Sequence, residues 1–494
     1  MSLTSIYFFL FMTALIIIYF IVPKKVRWIV LLVGSCYFYL AGGLDIFCIA
    51  CATVAITYFA AIWMEKASQD IKKKRLLLSA AVVLLLGFLT LTKVSSHYGW
   101  QYRWLVVPLG ISYYTFSLIG YLADVYWKKE KAETNYLKLL LFTLYFPKII
   151  QGPISKHKSI AGQLLEGHEF DYDNLCAGVQ LAMWGYFKKL VIADRAAIFV
   201  DTVFGGLDNY LESGAILTMA VILSTVQLYC DFSGYMDIVI GISQILGIQL
   251  ENNFKRPFFS KSAAEFWRRW HITLGAWFKD YVYMPIVISP RLIKFSTWVR
   301  NHFGKRTGKA MMNVIPLAVV WLLTGLWHGT GKNYVLWGIY WGAIIITTTV
   351  FAPEIKKFNK FLHINTEASS WQLFQMVRTT AIFCVGRLIT APGSLRNSWK
   401  ILLGMTHSFR LWELFDGTIY TLGLAEIDMK LLVLSIGILW IVGIQQEKSS
   451  IRERISGWNA LARWSFYAVA FVSIFMLGIY GTGYDASSFA YERY

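Results

Sequence analysis

The sequence predicts an all-α, polytopic membrane protein, and three observations carry that prediction. Of its 494 residues, 56% are hydrophobic and 17% aromatic, with a mean hydropathy of +0.51. Only 15% are charged, against roughly 25% in soluble domains, too few to cover an ordinary water-facing surface. Basic residues recur at alternate connections between long apolar runs, as they do in the cytoplasmic loops of membrane proteins. This composition excludes a disordered chain, a collagen, a coiled coil and a disulfide-stapled secreted scaffold. The 37 glycines and ten prolines follow no fixed period. Lys and Arg outnumber Asp and Glu by 47 to 29, a net charge of +18. The positive-inside rule accounts for that excess, and no nucleic-acid partner is expected.

The elements follow in order. The first apolar run, 5–22, precedes Pro23-Lys24-Lys25-Val26-Arg27. A cleavable leader has its positive charge before the apolar run, so this one reads as a spanning helix with its N-terminus outside. Two spans later come Lys66, Lys72, Lys73, Lys74 and Arg75, and two spans after that Lys128-Lys129-Glu130-Lys131. The intervening Gly42-Gly43-Leu44-Asp45 has no basic residue and suits the outside. Residues 290–309 hold Arg291, Lys294, Arg300, Lys305, Arg306 and Lys309 with no acid, and read as cytoplasmic. Spans are then predicted over about 310–327 (outward), 333–351, 371–390, 431–444 and 464–480, leaving 481–494 outside. About a dozen membrane-embedded segments result, with no extramembrane domain long enough to fold alone. The six cysteines lie mostly in apolar surroundings, and Cys48-Ile-Ala-Cys51 reads as structural.

The middle of the chain does not fit simple spans. Residues 174–200 include Lys188, Lys189, Asp194 and Arg195, and residues 254–288 mix aromatics with Lys255, Arg256, Lys261, Arg268, Arg269, His271, Lys279 and Asp280. A charge at mid-bilayer costs roughly 2.5–3.5 kcal/mol on insertion scales. These stretches are therefore expected to be short, re-entrant or interfacial helices buried against protein or lining a wet cavity, which is where a site belongs.

Two histidines stand out. His328 ends Trp321-Leu-Leu-Thr-Gly-Leu-Trp327-His328-Gly329. An ionisable side chain inside a membrane is a functional candidate, and imidazole suits general-base work near neutral pH. The alternative is a water-capped histidine at a helix end. His271 lies in Phe266-Trp267-Arg268-Arg269-Trp270-His271, where one helix would put Trp267, Trp270 and His271 on a common face. It is a second catalytic or orienting candidate; the alternative is an interfacial amphipathic helix with snorkelling arginines. Arg268, Arg269 and Lys255 could receive the phosphates of a ligand such as coenzyme A, though loop topology also accounts for them. Asp231 and Asp237 flank a Ser233-Gly234 small-residue break and are expected to anchor the cavity, paired with Arg268 or Arg269. There is no Gly-x-Ser-x-Gly elbow, phosphate-binding loop or metal-ligand spacing, and neither a metal nor a bound cofactor is expected.

Taken together, Phe146-Pro-Lys-Ile-Ile-Gln-Gly-Pro153, Tyr229-Cys-Asp-Phe-Ser-Gly-Tyr235, Asn253-Phe-Lys-Arg-Pro-Phe258, Phe266-Trp-Arg-Arg-Trp-His271 and Gly325-Leu-Trp-His-Gly329 resemble the membrane-bound O-acyltransferase family. The resemblance is to its bacterial branch of alginate, peptidoglycan and wall-polysaccharide O-acetyltransferases. It is strongest over about 100–350, within one integral-membrane domain spanning 1–494. The resemblance implies helices around a central tunnel, His328 as the catalytic histidine and His271 in support. It implies a thioester acyl donor, acetyl-CoA or a carrier-protein thioester, serving a cell-envelope polysaccharide across the bacterial inner (cytoplasmic) membrane. An extracytoplasmic SGNH-like acetyltransferase is the implied partner. The tail ending Tyr491-Glu-Arg-Tyr494 resembles the aromatic terminus of the alginate-type members, which makes Tyr491 a candidate acyl carrier; a frayed terminus is the alternative. Relatives have a histidine in a Trp-Gly-x-x-His-Gly pattern where this chain reads Trp337-Gly-Ile-Tyr-Trp341-Gly. D-alanyl transfer to teichoic acid and a polysaccharide or acyl-carrier transporter are the competing functions.

Overall fold

Apolar runs of this length, with their backbone polar groups satisfied within each segment, form helices, and the computed structural model is built of helices accordingly. It describes residues 2–67, 69–98, 108 and 110–479; the tail 481–494, with Tyr491, lies outside the described residues. The first helices are α1 (Ile6–Ile21), α2 (Arg27–Leu40), α3 (Leu44–Lys66), α4 (Ile71–Tyr98), α5 (Ile111–Tyr126), α6 (Tyr136–Leu144), α7 (Phe146–Ile149), α8 (His157–Glu166) and α9 (Tyr172–Tyr186). The middle of the chain supplies α10 (Asp194–Gly205), α11 (Gly214–Ile245), α12 (Ala263–Arg269), α13 (Ile272–Phe278), α14 (Met284–Val287) and α15 (Pro290–Phe303). The rest is α16 (Lys305–His328), α17 (Lys332–Val350), α18 (Ala352–Phe361), α19 (Ser369–Thr390), α20 (Leu395–His407), α21 (Glu426–Lys448), α22 (Ile451–Ser456) and α23 (Ala460–Leu477).

Among the described residues, seven helices are long and apolar enough to cross a membrane, or eight if α17 and α18, bent by 65°, form one broken span, against the dozen embedded segments expected. Helix α1, at 16 residues, is apolar but shorter than these. The predicted spans of the second half appear as α16, α17, α19, α21 and α23, with ends within about five residues of those expected. The Asn459 side chain accepts the Ala462 N–H at 2.8 Å and starts α23.

The chain divides into two compact units: 1–187 with 232–252 and 459–494, and 188–231 with 253–458. In the first unit, α9 crosses the 232–245 part of α11 at backbone contact. A Cβ added to Gly178 would lie 2.5 Å from the Gly241 carbonyl oxygen, and one added to Gly185 would lie 2.5 Å from that of Gly234. Both pairs are seven residues apart, so the four glycines form one seam down two facing helices, the small-residue packing that membrane helices favour. The Ser233-Gly234 pair is therefore no break. Helix α11 runs unbroken through it, and Gly234 serves a helix crossing.

In the second unit the charged stretch at 188–195 is buried and internally paired. Residues Phe187–Ala193 form a π-helical turn between α9 and α10, a distortion typical of functional or constrained helix segments. It carries Lys189 inward to Asp231 (2.8 Å) and Asp194 (2.9 Å), with all three side chains at most 5% exposed. Arg195 reaches Asp428 at 3.3 Å and donates to the Val191 carbonyl. Asp231 is thus held by Lys189 and not by Arg268 or Arg269; Arg269 is already engaged by Glu265 and Glu447.

Removing one member of a buried ionic cluster leaves an uncompensated charge and costs about 3–5 kcal/mol. Lys189→Met is expected to lower the thermal midpoint of the detergent-solubilised protein strongly. Adding Asp194→Asn and Asp231→Asn to it should recover part of the loss. A Lys189→Met protein with an unchanged midpoint would contradict the internal pairing.

Candidate active site

Both histidines belong to the second unit. His328 is the last residue of α16, followed by Gly329. Its position is set by the antiparallel crossing of α16 and α17. A Cβ on Gly325 would come within 2.6 Å of the Tyr334 carbonyl oxygen, and one on Gly338 within 2.6 Å of the Trp321 carbonyl oxygen. The two helices therefore meet backbone to backbone one turn before the histidine. That close approach lays the His328 ring edge-on to Trp337, with centroids 4.9 Å apart, and beside Trp327 at 4.7 Å. His328 is half-buried, whereas Trp327 and Trp337 are each 8% exposed.

His271 is wholly different. A single helix through 265–277 would have carried it on the face of Trp267 and Trp270, but the structure breaks that helix. Helix α12 ends at Arg269, Trp270 is extended, and His271 adopts the left-handed conformation (φ 48°) before α13 begins. A non-glycine residue there stores strain of order 1–3 kcal/mol, a feature that clusters at functional sites. The strain is held by a short antiparallel pairing of 253–255 with 269–272. Lys255 N–H donates to Arg269 (2.9 Å), Ile272 N–H donates to Asn253 (3.0 Å), and Phe254 opposes Trp270. The Asn253 side-chain oxygen accepts from the Thr273 N–H at 2.9 Å and the Thr273 hydroxyl at 2.8 Å, and lies 3.4 Å from His271 Nδ1. The His271 ring centroid lies 5.9 Å from that of Trp327, the residue preceding His328, so Trp327 is a ring neighbour of both imidazoles. His271 lies outside all the long apolar spans, and burial pushes its imidazole down to about 3, which makes it a neutral group.

The aromatic residues around them face inward rather than forming an interfacial belt. Trp267 packs on Trp321 and Trp341 (5.0 Å each), Phe266 on Phe383 (4.5 Å) and Trp270 on Phe383 (4.9 Å). Each such pair contributes about 0.5–1.5 kcal/mol beyond its area, and together they join α12, α16, α17 and α19. Trp341, at the position where relatives have a histidine, is fully buried and lies parallel to Phe266. Its place is taken by packing.

The cationic candidates separate. Lys255 and Arg268 are exposed. Arg269 is tied to Glu265 at 2.8 Å and to Glu447 at 3.0 Å, and Arg256 to the same Glu447 at 2.6 Å. Lys255 and Arg268 thus keep their charge available to a ligand, while Arg269 is committed to structure. Tyr491 lies outside the described residues. Sequence reasoning assigned no role to Asn253. Its signal was present in the Asn253-Phe-Lys-Arg-Pro-Phe258 motif, but a side-chain amide reveals its partner only after the chain has folded back by 18 residues.

Comparison with known proteins bears on the family of the chain. Residues 130–295 match the model of MBOAT, the membrane-bound O-acyltransferase family. Over 427 residues the chain is 31% identical to a probable alginate O-acetylase AlgI of Pseudomonas putida, covering 84% of this chain and 81% of that protein. Over 448 residues it is 28% identical to the peptidoglycan O-acetyltransferase of Helicobacter pylori, covering 81% and 79%. A teichoic acid D-alanyltransferase of Bacillus subtilis is 30% identical over 263 residues, covering 53% and 63%.

The α16–α17 crossing admits a direct test. Gly338→Leu forces a side chain against the Trp321 carbonyl and should cost about 1–3 kcal/mol, read as a lower thermal midpoint in detergent. Gly437→Leu on α21, where an added Cβ meets nothing within 4 Å, should leave the midpoint unchanged. Equal effects of the two would mean that the crossing is not close-packed.

Proposed function

Because this chain belongs to the membrane-bound O-acyltransferase family, we propose that it moves an acetyl group across the bacterial inner membrane, from a cytoplasmic thioester toward cell-envelope polysaccharide. It is a multi-pass membrane protein and an O-acyltransferase. The observation that carries the finer reading is His328 at the far end of a 24-residue helix whose opposite end carries Lys305, Arg306 and Lys309. Such a helix is roughly 36 Å long at 1.5 Å per residue, enough to cross the hydrocarbon core. The positive-inside rule assigns its basic end to the cytoplasm, so the histidine end is reached from the other side, through a path between the helices.

The donor, acetyl-CoA or a carrier-protein thioester, acts as a substrate, and no bound cofactor takes part. Exposed Lys255 and Arg268 are suited to its phosphates. His328 takes the proton of an acceptor hydroxyl as its oxygen attacks the thioester carbonyl. The new C–O ester bond forms, the C–S bond breaks, and the imidazolium returns the proton to the departing thiolate. The last carbonyls of α16 carry partial negative charge and stabilise that transient cation. The acceptor is either Tyr491 or a hydroxyl of an extracytoplasmic SGNH-like partner, which then acetylates the polymer. The alginate and peptidoglycan relatives, matched over about four-fifths of both chains, support O-acetylation of polysaccharide over D-alanylation, whose matched relative covers about half of this chain.

His328→Ala is expected to abolish polysaccharide acetylation while membrane levels of the protein stay normal, as read by ester content of the isolated envelope and by immunoblot. Wild-type acetylation in that variant would overturn the assignment. Radiolabelled acetyl-CoA supplied to inside-out vesicles should place label on the chain, its partner or the polymer only when His328 is present.

A further inference from the structure

The Asn253–His271 contact fixes more than a position. The Thr273 backbone N–H is an obligate donor, and its partner at 2.9 Å on Asn253 must therefore be the amide oxygen rather than the nitrogen. An oxygen without hydrogen faces His271 Nδ1 at 3.4 Å. This is longer than the two bonds from Thr273, but of one polarity only: a lone pair on Nδ1 would oppose the amide oxygen, whereas an N–H is attracted to it. Burial keeps the imidazole neutral, so one proton must be shared between two nitrogens. The backbone pairing of 253–255 with 269–272 and the left-handed His271 fix where the side chain leaves the backbone, and the ring is enclosed, with the residue 2% exposed.

We propose that Asn253 is a positioning residue that holds His271 in the Nδ1–H tautomer, so that Nε2 presents a lone pair as hydrogen-bond acceptor in the active site. His271 then orients the incoming acceptor hydroxyl by accepting its hydrogen bond, and the proton itself goes to His328. A neutral, buried imidazole is fitted for the first task and not for the second. The division is set by surroundings: one imidazole at a half-buried helix end, the other enclosed in protein. The tautomer stands on the Asn253 geometry and the burial of the ring, while its consequence for turnover rests on the acyl transfer proposed above.

The test reads the two separately. The wild-type protein, labelled with ¹⁵N-histidine and reconstituted in lipid, should give for His271 a protonated-type Nδ1 signal and an unprotonated-type Nε2 signal. The assignment comes from the resonances lost in His271→Gln. A protonated-type Nε2 overturns the tautomer, whatever reaction the chain performs. Asn253→Leu removes the acceptor and should mix the two tautomers and lower turnover by about 10²-fold, the scale of misplacing a reacting group, with the donor KM unchanged. Asn253→Asp keeps an acceptor oxygen for Thr273 and His271 and should restore the wild-type tautomer and most of the turnover. An Asn253→Leu protein that loses turnover with its His271 signals unchanged, or one that keeps both, overturns the positioning role. Should Asn253→Leu fail to fold, the wild-type spectrum and the Asp variant decide: an Asp variant that folds with the wild-type tautomer but without turnover also overturns it.

Discussion

The constraint on which the second unit depends is that the buried charges of Lys189 and Arg195 must be answered by carboxylates on neighbouring helices. Hydrocarbon offers a buried ammonium or carboxylate nothing, and the idealised cost of taking an ion out of water, of order 20 kcal/mol, exceeds the net stability of a protein. Lys189 is answered by Asp194 and Asp231, and Arg195 by Asp428. Those partners come from α10, α11 and α21, so the ion pairs tie together helices that apolar packing alone would let slide. The π-helical turn at Phe187–Ala193 is the backbone adjustment that accompanies these pairs.

The same constraint shapes the segment between α11 and α16. A straight amphipathic helix there would have exposed either arginines or tryptophans to the wrong medium. Breaking it at Trp270 and His271 sends the indoles inward to α16, α17 and α19, and leaves Arg268 exposed and Arg269 paired with Glu265 and Glu447. The break costs backbone hydrogen bonds, and the pairing with 253–255 replaces them. His271 sits at the turn of that replacement structure, which is why a strained residue and a well-buried polar network coincide.

Hydropathy and charge made the long helices legible, because length and apolar content are properties of contiguous sequence. They also marked 174–200 and 254–288 as irregular, since charges in an apolar run announce that the run cannot face lipid. What they could not reveal was which partner each charge would choose. Asp231 lies 42 residues from Lys189 and 37 and 38 from Arg268 and Arg269, so separation along the chain favoured none of them. Seven-residue glycine spacing at 178 and 185, and at 234 and 241, carried a packing signal that became readable once the facing helix was known. In the candidate site, the two histidines were visible as ionisable groups in apolar surroundings, whereas Asn253 was not, because its effect is exerted by one oxygen atom on residues 18 and 20 positions away.

Trp341 is where the chain departs from the pattern that its family resemblance implies. Where relatives carry an imidazole at this position, this chain has the largest side chain available, fully buried and parallel to Phe266. An indole there offers no exchangeable base, so proton transfer near His328 must be handled by groups other than this one. His328 and His271 are the histidines that Trp327 brings into one neighbourhood among the described residues. Their environments differ in the respect that matters for chemistry: one ring sits at the half-buried end of a long helix, and the other is enclosed and hydrogen-bonded through a fixed oxygen. Acyl transfer needs one group that can hold a positive charge briefly and another that orients without ionising. Two neutral imidazoles in equivalent surroundings would compete for the same proton. Their unlike surroundings suit His328 to the first proposed role and His271, held by Asn253, to the second.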